Sequence, residues 1–193
     1  MTADAGLLAA LRDLQAALAA SGRPAMIIGG IAVLARGVPR QTIDIDATIA
    51  AEGTDLNAVL EALARHGIIP RIADAVTFAR ERQVLLLRHE PTGTPLEITL
   101  AWLPFELAAL GRASVVDFAG VPVRVADPED LVIYKAVAWR DRDRSDIERL
   151  LLRHGTAIDL SRVRAVVREF AAALDEPERL DAFEALVSRT FGE

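Results

Sequence analysis

The chain has 193 residues, of which 22 are basic and 28 acidic, so its formal net charge is −6. This negative charge argues against a protein that binds DNA through a bulk basic surface, although a local basic groove is still allowed. Because the chain contains no cysteine, disulfides, thiolate nucleophiles and cysteine-ligated zinc are excluded. No apolar run approaches the roughly 18 residues of a membrane span, and the N-terminal segment is a poor signal peptide. We therefore expect a soluble, cytoplasmic protein with no membrane partner.

Hydrophobic periodicity and turn residues predict a mixed α/β half followed by an all-helical half. In the first half, helices are predicted over 4–20, 29–36 and 55–66, and strands over 25–28, 43–49, 74–79, 84–89, 96–102 and, as a hairpin, 114–125. Asp127 and Pro128 predict the start of the helical half. A capping box at Ser145 and Glu148 predicts a helix break near 141–145. The expected division is therefore residues 1–126 and 127–193.

A pair of aspartates on the strand predicted over 43–49 is the sharpest local signal. Apolar residues alternate with them and predict a buried strand face, formed by Ile43, Ile45, Ala47 and Ile49. Asp44, Asp46 and Thr48 then share the opposite face, with the two aspartates roughly 6–7 Å apart along the chain. At a separation of about 4–6 Å, the two carboxylate charges would repel each other by about 3–4 kcal/mol in a medium with an effective dielectric constant of about 20. A shared proton, divalent cations, or arginines such as Arg40 would each offset this repulsion, and the pattern alone leaves these three open.

Two further features accompany the aspartate pair. Glu97, on the strand predicted over 96–102, reaches the same point if that strand lies beside 43–49. Gly29 and Gly30 follow a strand and precede a helix, so that their backbone amides can approach a phosphate. The pattern is not a P-loop, since no Gly-Lys-Ser/Thr follows, and it lacks the third glycine of the dinucleotide fingerprint.

Taken in order, these residues resemble the nucleotidyltransferase superfamily, which has the polymerase-beta-like fold. The family pattern is Gly-Gly or Gly-Ser at a helix start, then Arg-x-Thr-x-Asp-x-Asp on a strand, then an acidic residue on a later strand. The matching positions here are Gly29, Gly30, Arg40, Thr42, Asp44, Asp46 and Glu97. A helical motif of the AbiEii/MenT-like group is also present, at Lys135, Ala138, Arg140, Arg142, Asp143, Asp146 and Ile147. The resemblance covers residues 25 to about 152 and implies an α+β fold: a small mixed β-sheet flanked by helices, followed by a C-terminal helical bundle.

The resemblance also implies an activity and assigns residues to it. It implies Mg²⁺-dependent transfer of NMP from an NTP, ATP included, to a hydroxyl of an acceptor, with two Mg²⁺ ions. Asp44, Asp46 and Glu97 are the implied metal ligands and catalytic residues, with Glu97 as a general base. The implied nucleotide-binding residues are Gly29, Gly30, Arg40, Thr42, Lys135, Arg140 and Asp146. The acceptor is left open among tRNA, protein and small molecule, and a toxin–antitoxin role with a cognate partner is implied.

Other interpretations stay open at this point. One is a nucleotide-binding or antitoxin-type interaction module of the same fold with little catalysis, and another is a metal-binding α/β domain that hydrolyses phosphoesters. The charges over 140–149 are also typical of a solvated network at a helix junction. His66 and His154 suit helix ends, and His89 suits a structural place on a strand, so none is given chemistry.

Overall fold

A computed structural model describes residues 4–192 of the chain. These residues divide into two compact units. The first contains residues 4–35 and 40–126, and the second contains residues 36–39 and 127–192. The helices in this part of the chain include none that is both long and apolar enough to cross a bilayer.

The first unit is built on a seven-stranded mixed sheet. Its strands are β1 (Ala25–Ile28), β2 (Ile45–Ala50), β3 (Ile68–Pro70), β4 (Val84–His89), β5 (Pro95–Ala101), β6 (Ser114–Phe118) and β7 (Val121–Val125). They lie in the order β3-β4-β5-β2-β1-β7-β6. The β2–β5 and β1–β7 pairs are parallel, and the other neighbouring pairs are antiparallel. The predicted mixed sheet is confirmed, including the adjacency of the two strands that carry Asp46 and Glu97.

Helices of the first unit cover this sheet. They are α1 (Ala5–Ala20), α2 (Gly29–Ala35), α3 (Leu56–Ala64), α4 (Ala75–Arg82) and α5 (Pro104–Arg112). Asp4 caps α1 by accepting a hydrogen bond from the Gly6 amide at 3.1 Å. Four of the five leucines of α1 are buried, Leu7, Leu11, Leu14 and Leu18, and Leu8 is half-buried. The core is thus a leucine-rich helix face packed with the apolar strand residues.

Three expectations about the first unit need correction, and two of its elements were not predicted. β2 begins at Ile45, so Ile43 and Asp44, both predicted on the strand, lie before it, and Ile43 is 81% exposed instead of buried. Thr48, expected on the polar face, is completely buried. The strand predicted over 74–79 is instead the start of α4, whose buried residues Ala75 and Ala79 have helical spacing. β3 and α5 were absent from the sequence-based prediction, and β3 has only three residues, too few for a periodic signal.

The second unit is helical. Its elements are α6 (Pro128–Ala138), α7 (Asp141–His154), a 3₁₀ turn (Gly155–Ala157), α8 (Leu160–Ala173) and α9 (Glu178–Phe191). The break between α6 and α7 falls before the predicted position, because Trp139 ends α6 with a φ of 52°. Asp143 then accepts a hydrogen bond from the Arg140 amide at 3.1 Å. Ser145 lies inside α7, so the capping box predicted there is wrong.

Candidate active site

The two glycines at the start of α2 lie against the side chains of Asp46 and Thr42. A Cβ atom on Gly29, whose φ is 59°, would lie 1.9 Å from Asp46 Oδ2. A Cβ atom on Gly30 would lie 2.4 Å from Thr42 Oγ1 and 3.2 Å from Arg40 Cζ. Atoms cannot approach this closely without displacement. The absence of a Cβ at Gly29 therefore lets the Asp46 side chain lie against the backbone of α2, and its absence at Gly30 does the same for Thr42.

The aspartates are held by different local contacts. Thr42 Oγ1 donates a hydrogen bond to Asp44 Oδ1 at 2.6 Å. Asp46 is the second residue of β2 and pairs with Ile28 of β1, which directly precedes Gly29. Both side chains are half-buried. The Thr-x-Asp-x-Asp spacing thus places Asp44 just before β2 and Asp46 inside it, beside the glycine pair.

Glu97 lies beside Asp46 on the neighbouring parallel strand. The two residues are Cα partners in the β2–β5 register, so their side chains leave the same face of the sheet about 4.8 Å apart at the backbone. Glu97 Oε1, however, accepts a hydrogen bond from Arg71 Nη2 at 3.0 Å. Over residues 4–192, no three histidine, cysteine or acidic side chains are gathered closely enough to hold a metal ion. The expected three-carboxylate cage is therefore not closed in the described residues, and Glu97 is ion-paired with Arg71.

The residues present nevertheless suit a magnesium ion. Asp44, Asp46 and Glu97 offer only carboxylate oxygens, which are the ligands that Mg²⁺ prefers. The absence of a Cβ at Gly29 leaves room for the Asp46 carboxylate beside the backbone of α2. A divalent cation would also offset the repulsion between neighbouring carboxylates. The metal-ligand role of the three residues stays a prediction that this donor set supports.

Three of the predicted nucleotide-binding residues lie in the second unit. Lys135 Nζ is 3.1 Å from Asp143 Oδ1 and 2.7 Å from Asp146 Oδ2. All three of these side chains are buried. Arg140 is exposed and contacts the cluster through its backbone amide. Lys135 and Asp146 thus form a buried charge cluster that ties α6 to α7, and the nucleotide-binding role of Lys135, Arg140 and Asp146 stays a prediction.

Two histidines have structural partners. His89 is buried, with Nε2 2.9 Å from Asp13 Oδ2 and Nδ1 2.7 Å from Thr92 Oγ1. His154 Nε2 lies 3.1 Å from the Arg36 carbonyl oxygen. Burial lowers the pKa of His154, and the neighbouring arginine charges lower it further against the opposing effects of that carbonyl and of a nearby aspartate. These contacts fit the expectation that neither ring takes part in the chemistry.

Arg71 is the site neighbour that sequence reasoning missed. It follows the three-residue strand β3 and lies 26 positions before Glu97 in the chain. Neither its spacing nor its surroundings in the sequence point to a carboxylate partner. Only the pairing of β3 with β4, and of β4 with β5, brings it near Glu97.

The family model described as "Nucleotidyl transferase AbiEii toxin, Type IV TA system" matches residues 12–190. The chain belongs to the AbiEii nucleotidyl transferase family. This confirms the resemblance drawn from the glycine, aspartate and lysine motifs. Comparison with curated protein sequences found no significant match.

Solved structures of low identity share the fold. The solution structure of the antibiotic-resistance factor ANT(2'')-Ia is 21% identical with a TM-score of 0.63, and the match covers 90% of this chain and 97% of that one. The crystal structure of ANT(2'')-Ia in complex with adenylyl-2''-tobramycin is 20% identical with a TM-score of 0.55, covering 84% and 95%. An antigenic nucleotidyltransferase-like protein from Paracoccidioides brasiliensis is 16% identical with a TM-score of 0.49, covering 92% of each chain. The first two matches show a nucleotidyltransferase fold over most of the chain.

Proposed function

We propose that this AbiEii-family protein is a Mg²⁺-dependent nucleotidyltransferase that transfers NMP from an NTP to an acceptor hydroxyl. The observation that carries the proposal is the packing of Asp46 and Thr42 onto Gly29 and Gly30. Thr42 in turn holds Asp44 through a 2.6 Å hydrogen bond. Two carboxylates are thereby fixed beside the two glycines of a strand-to-helix turn. A metal-bound triphosphate requires this arrangement, with carboxylates for the metal ion and accessible backbone amides for the phosphates.

Each residue has a distinct part in the proposed reaction. Mg²⁺, held by Asp44 and Asp46 together with Glu97, would supply charge neutralisation for the triphosphate and activation of the hydroxyl. The amide groups of Gly29 and Gly30 would donate hydrogen bonds to phosphate oxygens. Arg40, whose guanidinium lies beside Gly30, would add a positive charge there. Glu97 would accept the proton of the attacking hydroxyl.

The acceptor and the biological role belong to the proposal as well. One solved relative in fold is a complex with adenylyl-2''-tobramycin, in which a small-molecule hydroxyl carries the nucleotide. The family description names a toxin of a type IV toxin–antitoxin system. We therefore include aminoglycosides, tRNA and protein as candidate acceptors, and a toxin role controlled by a cognate antitoxin.

The test is transfer of a label from the α-phosphate of each NTP to pools of these acceptors in the presence of Mg²⁺. Wild type is compared with Asp44→Asn/Asp46→Asn and with Glu52→Gln, an exposed carboxylate just past the far end of β2. We expect transfer by wild type and Glu52→Gln, and a loss of at least about 10³-fold in the double variant. Label transfer that survives in the double variant, or its absence from wild type in every pool, would overturn the proposal.

A second function is favoured by one observation, the ion pair between Arg71 and Glu97, which engages one of the three expected metal ligands. A nucleotide-binding or antitoxin-type module with little catalysis would retain NTP without releasing pyrophosphate. Measuring pyrophosphate release and NTP binding on the same sample separates the two functions.

A further inference from the structure

One row of residues begins at Arg71, just past the end of β3, crosses β4 and β5, and ends at Asp46 on β2. The Arg71 amide donates a hydrogen bond to the Leu86 carbonyl oxygen at 2.9 Å. Leu86 is the register partner of Glu97, and Glu97 is the register partner of Asp46. Since the strands follow the order β3-β4-β5-β2, Glu97 lies between Arg71 on one side and Asp46 on the other.

This order decides the direction from which Glu97 is held. The guanidinium of Arg71 reaches past Leu86 to Glu97 Oε1 at 3.0 Å. It therefore holds the carboxylate from the side remote from Asp46. Both side chains are partly exposed, at 36% for Arg71 and 48% for Glu97, so neither is locked by packing and the pair can open.

We propose that Arg71 is a positioning residue that competes with a divalent cation for Glu97. In the unloaded protein, Arg71 neutralises Glu97 and keeps it off the aspartate pair. A cation bound by Asp44 and Asp46 recruits Glu97 only by displacing Arg71 from it. This inference rests on the proposed metal-dependent function, and it makes Arg71 a determinant of how tightly the site holds its metal.

Removing Arg71 should therefore tighten metal binding. A partly exposed ion pair is a modest barrier, so we expect Arg71→Gln to lower the Kd for the cation by about 2- to 5-fold. Loss of any positive charge near the site also strengthens cation binding, so this general electrostatic effect needs its own control. Arg88→Gln provides it, because Arg88 is exposed on β4, next to β5, and is the register partner of Pro95, two residues before Glu97.

The experiment is titration of the full chain with Mn²⁺, with free Mn²⁺ measured by electron paramagnetic resonance. Wild type, Arg71→Gln, Arg88→Gln, Glu97→Gln and Arg71→Gln/Glu97→Gln are compared. We expect Arg71→Gln to bind Mn²⁺ more tightly than Arg88→Gln does. In the Glu97→Gln background we expect Arg71→Gln to add no more tightening than Arg88→Gln gives.

Three results would overturn the inference. Arg71→Gln could bind Mn²⁺ no more tightly than Arg88→Gln, it could bind more weakly than wild type, or its tightening could persist without Glu97. If wild type binds Mn²⁺ and transfers NMP while one of these results is found, only the role of Arg71 fails. If wild type neither binds Mn²⁺ nor transfers NMP, the proposed function fails together with it.

Discussion

Gly30→Ala sets a gain in helix propensity against a steric conflict in the candidate site. Gly30 lies in α2, and alanine at an ordinary helix position is favoured over glycine by about 1 kcal/mol. Here the added Cβ would lie 2.4 Å from Thr42 Oγ1 and 2.8 Å from Thr42 Cβ. Overpacking of this kind costs about 1–3 kcal/mol. Subtracting the propensity gain leaves a net destabilisation of about 0–2 kcal/mol.

Gly111→Ala is the matched control. Gly111 lies in α5, where an added Cβ meets no atom within 4 Å. We expect this change to stabilise the protein by up to about 1 kcal/mol. In a chain of this size, about 1 kcal/mol shifts the Tm by about 2–4 °C. The Tm of Gly111→Ala should therefore rise by up to about 4 °C, while that of Gly30→Ala stays level or falls by up to about 8 °C.

The larger effect of Gly30→Ala is expected on activity. The added methyl group displaces Thr42, which moves Asp44 through their 2.6 Å hydrogen bond. A shift of about 1 Å in a catalytic constellation costs about 10²-fold in rate. Thermal melts and NMP-transfer rates of both variants provide the test. Wild-type activity in Gly30→Ala, or a Tm rise equal to that of Gly111→Ala, would refute the conclusion that the Thr42 side chain packs directly against Gly30.

Two further predictions concern the second unit. Lys135→Met removes the ammonium group that contacts the buried Asp143 and Asp146, so urea unfolding should show a loss of about 3–5 kcal/mol in the free energy of unfolding. A loss below about 1 kcal/mol would contradict the charge cluster. Burial is the main cause that lowers the pKa of His154 in the folded protein. As the pH falls below about 6.5, the unfolded chain therefore binds a proton at His154 before the folded protein does, and the free energy of unfolding decreases as the pH falls. His154→Gln, which can still donate to the Arg36 carbonyl oxygen, should show a smaller Tm difference between pH 7.5 and 5.5, and an unchanged difference would contradict the role of His154.

Local spacing was enough to find the core of the candidate site. The order of Gly29-Gly30, Thr42, Asp44 and Asp46 predicted a strand-to-helix turn beside an aspartate pair, and the structure places these residues together. The spacing works because the absence of a glycine Cβ and the short separation of Thr42, Asp44 and Asp46 along the chain are local properties of the backbone. The predicted strand alternation itself fails at Ile43 and Asp44, which lie before β2. The helical half was predictable for the same reason, since its apolar residues recur at helical intervals.

Long-range pairing decided what lies around that core. The ion pair of Arg71 with Glu97 depends on β3 and β4 being inserted beside β5, and no residue near Arg71 in the sequence indicates that register. The exposure of Ile43 likewise depends on where β2 starts to pair with its neighbours. A strand's periodicity fixes which residues share a face, but its partner and register follow from which apolar surfaces pack together across the whole sheet. The sequence therefore determined which carboxylates are candidates for the site, and only the tertiary structure decided which charge Glu97 faces.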